Sequence, residues 1–110
     1  KEDNCESIIE DIFKTAKKHS CLIYYPEDVL VGKSIKDKSQ IKELNEIKND
    51  DLILDIGPKT INKIKDTIEN SKTVLWNGPA GYFENPSFAL GSHEIAKKLW
   101  KKTKMIQFIQ

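Results

Sequence analysis

Between residues 73 and 92 the chain reads T-V-L-W-N-G-P-A-G-Y-F-E-N-P-S-F-A-L-G-S, and this stretch constrains the fold more than any other. Residues 73–76 are rich in β-branched and aromatic side chains, a run suited to a buried strand. Asn77, Gly78, Pro79 and Gly81 stop it at once, because each favours a turn over a ladder. Three of the chain's five glycines (Gly78, Gly81 and Gly91) fall in this stretch. A main chain without Cβ atoms lets a ligand come close, and turn N–H groups can converge on anionic oxygens. Tyr82 and Phe83 add flat apolar surface, and Glu84 adds a carboxylate able to accept hydrogen bonds from a ribose diol. Together these features describe a nucleotide-binding edge. The competing reading is a plain strand–glycine–helix junction, and the string is neither G-x-G-x-x-G nor a Walker loop.

The rest of the chain alternates between strand-like and helix-like runs. Asn4 can cap a helix whose apolar stripe is Ile8, Ile9, Ile12, Phe13 and Ala16, with His19 a cation at its end. Residues 21–25 and 28–31 read as short strands, and 32–39 as a solvated, Lys-rich turn. Residues 40–47 are ambiguous, since Ile41, Leu44 and Ile47 are spaced for one helical face. Residues 52–56 form a near-continuous apolar strand of the kind buried on both faces, ended by Gly57 and Pro58. Thr60 can cap a helix carrying Ile61, Ile64 and Ile68. Asn85–Pro86 opens a short turn, and Ser92 can cap a last helix through Ile95, Ala96, Leu99 and Trp100. Trp76 and Trp100 are candidate core aromatics, Asp55 is a structural acid at a strand end, and the final residues can begin another strand. Alternation of this kind predicts an α/β fold: a three-layer, Rossmann-like parallel sheet with the Gly57 and Asn77 turns on its ligand edge.

A chain of 110 residues is one domain at most. Its net charge of +1 provides no field to steer nucleic acid, and all 18 basic residues are Lys, so no guanidinium fork is present. Cys5, Cys21, His19 and His93 lack zinc spacing, and the two cysteines are expected to remain thiols. No apolar run is long enough to span a bilayer and no signal peptide is evident, which sets the expectation of a cytoplasmic protein.

The string V-L-W-N-G-P-A-G-Y-F-E, followed by F-A-L-G-S, closely resembles the W-N-G-P-x-G-x-F-E…F-A-x-G-[TS] signature of phosphoglycerate kinase. The upstream L-D-I-G-P-K-T (54–60) resembles the same enzyme, and the likeness runs over residues 5–102. It implies that residues 1–110 are part of the C-terminal, nucleotide-binding domain of a phosphotransferase of glycolysis. That enzyme moves a phosphoryl group between 1,3-bisphosphoglycerate and Mg-ADP, giving 3-phosphoglycerate and Mg-ATP, and the family is usually monomeric. By the resemblance, Glu84 holds the ribose, Asn77 lies by the phosphates, Gly78 and Pro79 shape the turn, and Phe83 packs beside it. Ile53 stands where many relatives have a Gly beside the adenine, a departure that would crowd the base. For residues 40–47 the resemblance implies a short strand. The basic phosphoglycerate site with its catalytic Arg, the Lys-bearing phosphate loop and the G-G-G-D-T loop expected after Met105 are not in this sequence. No catalytic or metal-ligating residue is therefore assigned, and phosphoglycerate contact is expected only through the missing N-terminal domain. The isolated chain is expected to be inactive. The alternative is a non-catalytic remnant or interaction module that keeps the fold only.

Overall fold

The structure is a computed structural model, and it describes residues 4–102. Among these residues, three helices and three strands are joined in the order α1 (Glu6–Lys18), β1 (Asp28–Gly32), β2 (Gln40–Glu43), β3 (Leu52–Ile56), α2 (Pro58–Glu69) and α3 (Leu90–Lys102). Short 3-10 turns lie at Leu44–Glu46 and Pro86–Phe88.

β1 is the hub, because it is the central strand of the sheet and every one of its residues is buried. It sits between β2 and β3 and is antiparallel to both. The turn joining β1 to β2 is closed by Asp37, whose carboxylate accepts from the N–H groups of Lys33 (2.8 Å) and Ser34 (3.0 Å). Residues 40–43 are therefore a strand, in agreement with the resemblance and against the helical spacing. β3 pairs Asp55 with Leu30 but Ile53 with Val31, so Leu54 is the extra residue of a bulge.

α2 packs on β1, α3 packs on β3, and the two helices pack on each other. Ile68 from α2 meets Ile95 and Leu99 from α3, with Ile56, Ile64, Val74, Trp76 and Ala80 around them. Phe88, from the turn before α3, is fully buried. At the far end of the sheet, the Asp51 carboxylate is covered by Lys33 and Lys42 (2.7 Å each) and accepts from the Lys48 N–H (2.8 Å). These contacts hold its carboxyl far below the ordinary value.

Several expectations are corrected. The fold is α/β, but its sheet is three-stranded and antiparallel rather than a parallel Rossmann-like one. The two segments expected to supply parallel strands, 21–25 and 73–76, have strand composition but form no ladder among the described residues. Strand propensity describes a side chain's fit to a pleated surface, and only a neighbouring backbone makes the strand. β3 is not buried on both faces, since Leu52 and Ile53 are exposed. The stripe of α1 is present, yet none of that helix's residues is buried, and Asn4 makes no side-chain cap. Ser92 lies inside α3 rather than capping it, and Trp100 is on the surface. The expected terminal strand lies outside the described residues.

Candidate functional site

Each of the two buried aspartates fastens a helix to the sheet. Asp28, at the start of β1, accepts from the N–H of Lys59 (3.0 Å), the N–H of Thr60 (2.9 Å) and the Thr60 hydroxyl (2.8 Å). It thereby fills the orphan-donor end of α2, the usual place for an anion. Burial alone would push its carboxyl up, but the bonds from Thr60 and Lys59 outweigh that and hold it below the ordinary value. Asp55, near the end of β3, accepts from the N–H of Gly91 (2.9 Å) at the start of α3 and from the N–H of Ile56 (2.8 Å). Burial wins at Asp55 and raises its carboxyl above the ordinary value, against the two N–H bonds.

These acids account for most of the glycines. A Cβ at Gly57 would collide with the Asp28 carboxylate, and one at Gly91 with that of Asp55. A Cβ at Gly81 would lie 2.5 Å from the Leu54 carbonyl oxygen and 2.6 Å from Asp55 Oδ1. These three positions are bare to admit neighbours in the protein itself. Gly78 differs: its φ is +100°, where L side chains are strained, and nothing lies within 4 Å of its would-be Cβ. Of the four glycines discussed, it alone faces open space.

The 77–84 loop is held at its middle. The bulge at Leu54 turns that residue's carbonyl to accept the Tyr82 N–H at 2.7 Å, and the Ser92 hydroxyl accepts the Ala80 N–H at 2.9 Å. Asn85 closes the loop's far end, its amide donating to the carbonyls of Ile35 and Asp37 (2.9 Å each). Its side-chain oxygen caps the Pro86–Phe88 turn through the Ser87 N–H, as the sequence predicts.

Of the predicted site residues, Ile53 and Pro79 come together on one shallow groove with Leu54, Gly81 and Tyr82. Asn77, Gly78, Phe83 and Glu84 share the loop and are exposed, but they do not line that groove. Glu84 makes no hydrogen bond or ion pair among the described residues, so its carboxylate is available to a ligand. No set of three or more His, Cys, Asp or Glu side chains is gathered for a metal ion among the described residues. Sequence reasoning missed Asp28 and the loop-holding role of Ser92. The available signal was an acid heading the apolar run D-V-L-V, which a buried strand carries only when the acid is fully hydrogen-bonded.

Comparisons with known proteins agree on one family. A sequence model described as phosphoglycerate kinase matches residues 1–109. The phosphoglycerate kinase of Wolbachia pipientis subsp. Culex pipiens (strain wPip) is 41% identical over 97 residues, which are 87% of this chain and 24% of that protein. That of Legionella pneumophila (strain Paris) is 46% identical over 83 residues, 74% of this chain and 21% of its own length. The solved structure of phosphoglycerate kinase from Coxiella burnetii superposes with a TM-score of 0.86 at 26% identity, covering 93% of this chain and 27% of its own. The chain thus spans about a quarter of the length of the relatives it matches. With the family model matching nearly end to end, this chain belongs to the phosphoglycerate kinase family.

Proposed function

We propose that this chain is a segment of the nucleotide-binding half of a phosphoglycerate kinase, with Mg-ADP and Mg-ATP as its ligands. The observation that carries the reading is the contrast among three acids. Asp28 and Asp55 are buried and occupied as helix caps, whereas Glu84, on the loop that carries Pro79, is exposed and has no partner among the described residues. In this reading Glu84 accepts hydrogen bonds from the ribose hydroxyls, Phe83 offers apolar contact, and Asn77 with the positive-φ turn at Gly78 faces the phosphates. Magnesium arrives with the nucleotide as part of the substrate.

The remainder of the assignment follows from family membership. The complete enzyme would transfer a phosphoryl group between 1,3-bisphosphoglycerate and ADP in cytoplasmic glycolysis, by positioning and charge stabilisation rather than covalent work. Phosphoglycerate would be held by the N-terminal domain of the whole protein, so this chain alone should give no turnover. Segments 21–25 and 73–76 would become strands of a larger parallel, Rossmann-like sheet once neighbours are supplied. No nucleic-acid or membrane partner is proposed, and no helix among the described residues is long and apolar enough to cross a membrane.

Calorimetric titration with Mg-ADP, in the context of a complete enzyme, tests the assignment of Glu84. Glu84→Gln should weaken binding about tenfold, equivalent to about 1.4 kcal/mol, and Glu84→Ala further, both with unchanged melting temperature. Unchanged affinity in Glu84→Ala would remove this residue from the site. One observation favours the alternative of a segment that keeps the fold but has lost its ligand: Ile53 projects from the groove's edge, 56% exposed. If that side chain crowds the base, Ile53→Gly will tighten Mg-ADP binding.

A further inference from the structure

The loop bearing the candidate nucleotide contacts touches the sheet at two adjacent residues of β3, Leu54 and Asp55. Leu54, the bulge residue, takes the Tyr82 N–H on its carbonyl. Asp55 is 2% exposed, and its carboxylate lies where a Cβ of Gly81 or of Gly91 would have to go. The main chain of the loop on one side and of α3 on the other therefore rest directly against a single carboxylate. Each oxygen of that carboxylate accepts a main-chain N–H, Oδ2 from Gly91 and Oδ1 from Ile56. An amide at this position would aim its NH2 group at one of those two donors, so only the carboxylate satisfies both. Ser92, one residue beyond Gly91, takes the Ala80 N–H, so the register of α3 also sets the position of the loop.

Resting on the nucleotide reading above, we infer that Asp55 is the positioning residue of the site. Seated between Gly81 and Gly91, it fixes the height of the 77–84 loop over the β3 edge that carries Ile53. Glu84 lies three residues beyond Gly81, so a shift at the contact is carried to the ribose acid. Positioning errors of about 1 Å can cost a site up to a hundredfold. A role confined to capping α3 would influence stability and leave the loop in place.

The test uses the 110-residue chain, with Asp55→Asn and Gly81→Ala compared with the unsubstituted protein. Gly81→Ala keeps the Asp55 carboxylate but drives a methyl against its Oδ1 and the Leu54 carbonyl, which pushes the loop away from β3, so it remains informative if Asp55→Asn fails to fold. Two quantities are read by NMR: backbone order at Ala80 and Tyr82 without ligand, and Mg-ADP affinity by titration. Both variants are expected to loosen Ala80 and Tyr82 and to weaken Mg-ADP about tenfold. Retained order at both amides in Gly81→Ala, or retained Mg-ADP affinity, overturns the positioning role and leaves Asp55 a cap of α3. An unsubstituted chain that does not bind Mg-ADP overturns the nucleotide reading instead, and the order measurement alone then decides whether Asp55 sets the loop.

Discussion

α1 and α2 are near twins in sequence pattern and opposites in the structure. Each is a polar, Lys-rich helix with isoleucines at helical spacing, thirteen and twelve residues long. In α2, Ile61 and Ile68 are 3% and 5% exposed; in α1, Ile8, Ile9, Ile12 and Phe13 are 47–58% exposed. The difference lies in what surrounds them. α2 is gripped at its start by Asp28 and packed along its side by α3, whereas α1 leads into the unladdered segment 21–25. Periodicity identifies the face a helix needs to bury, and a second element has to supply the burial. The region with partners is also the one that holds the candidate site.

Substitutions at matched positions should separate the two regions most sharply. Ile68→Ala removes a packed side chain from the α2–α3 seam and should cost about 3 kcal/mol in urea unfolding. Asp28→Ala leaves the Lys59 and Thr60 N–H groups of α2 without their acceptor, and should cost about 2 kcal/mol by the same measurement. A cost near zero in either case would mean that α2 is no better anchored than α1.

Acid should act on the packed region with a definite sign. Asp28 and Asp51 are held below the ordinary carboxylate value of 3.8, so their contribution is complete above it and is lost as pH falls through their lowered folded values. Asp55 has the opposite sign: its raised folded value means that ionisation costs the fold, a cost relieved as pH falls. Urea midpoints taken from neutral pH down to about pH 3 should therefore decline, less steeply in Asp28→Asn and more steeply in Asp55→Asn. The smallest effect belongs to α1, where Ile12→Ala should change stability by no more than about 0.5 kcal/mol.

Much of the packed region was legible in the sequence because the relevant signals are local. Gly57–Pro58 fixes the entry to α2, Asn85–Pro86 fixes the 3-10 turn, and the 54–60 and 76–84 strings carry the family. What could not be read depends on contacts distant in sequence. Asp28 and Thr60 are 32 residues apart, and Asp55 and Gly91 are 36 apart. Without those pairs, the glycines of the 73–92 stretch read as clearance for a ligand, when Gly81 and Gly91 make room for the Asp55 carboxylate and the Leu54 carbonyl. Leu99 and Trp100 show the same limit on a finer scale. They are adjacent and both apolar, yet one is 3% and the other 74% exposed, because a helix turns about 100° per residue and only Leu99 meets Ile68 and Ile95. The sheet of the described residues is antiparallel, whereas the parallel expectation rests on segments 21–25 and 73–76, which form no ladder among the described residues.

Native-state amide hydrogen exchange on the 110-residue chain tests the division between the two regions most directly. Amides of β1, α2 and α3 should exchange only through cooperative opening and share one free energy, while those of α1 exchange within about tenfold of an unstructured peptide. Protection in α1 equal to that in α2 would contradict the account, because it would require a partner for the Ile8–Ile12 face that the described structure does not contain.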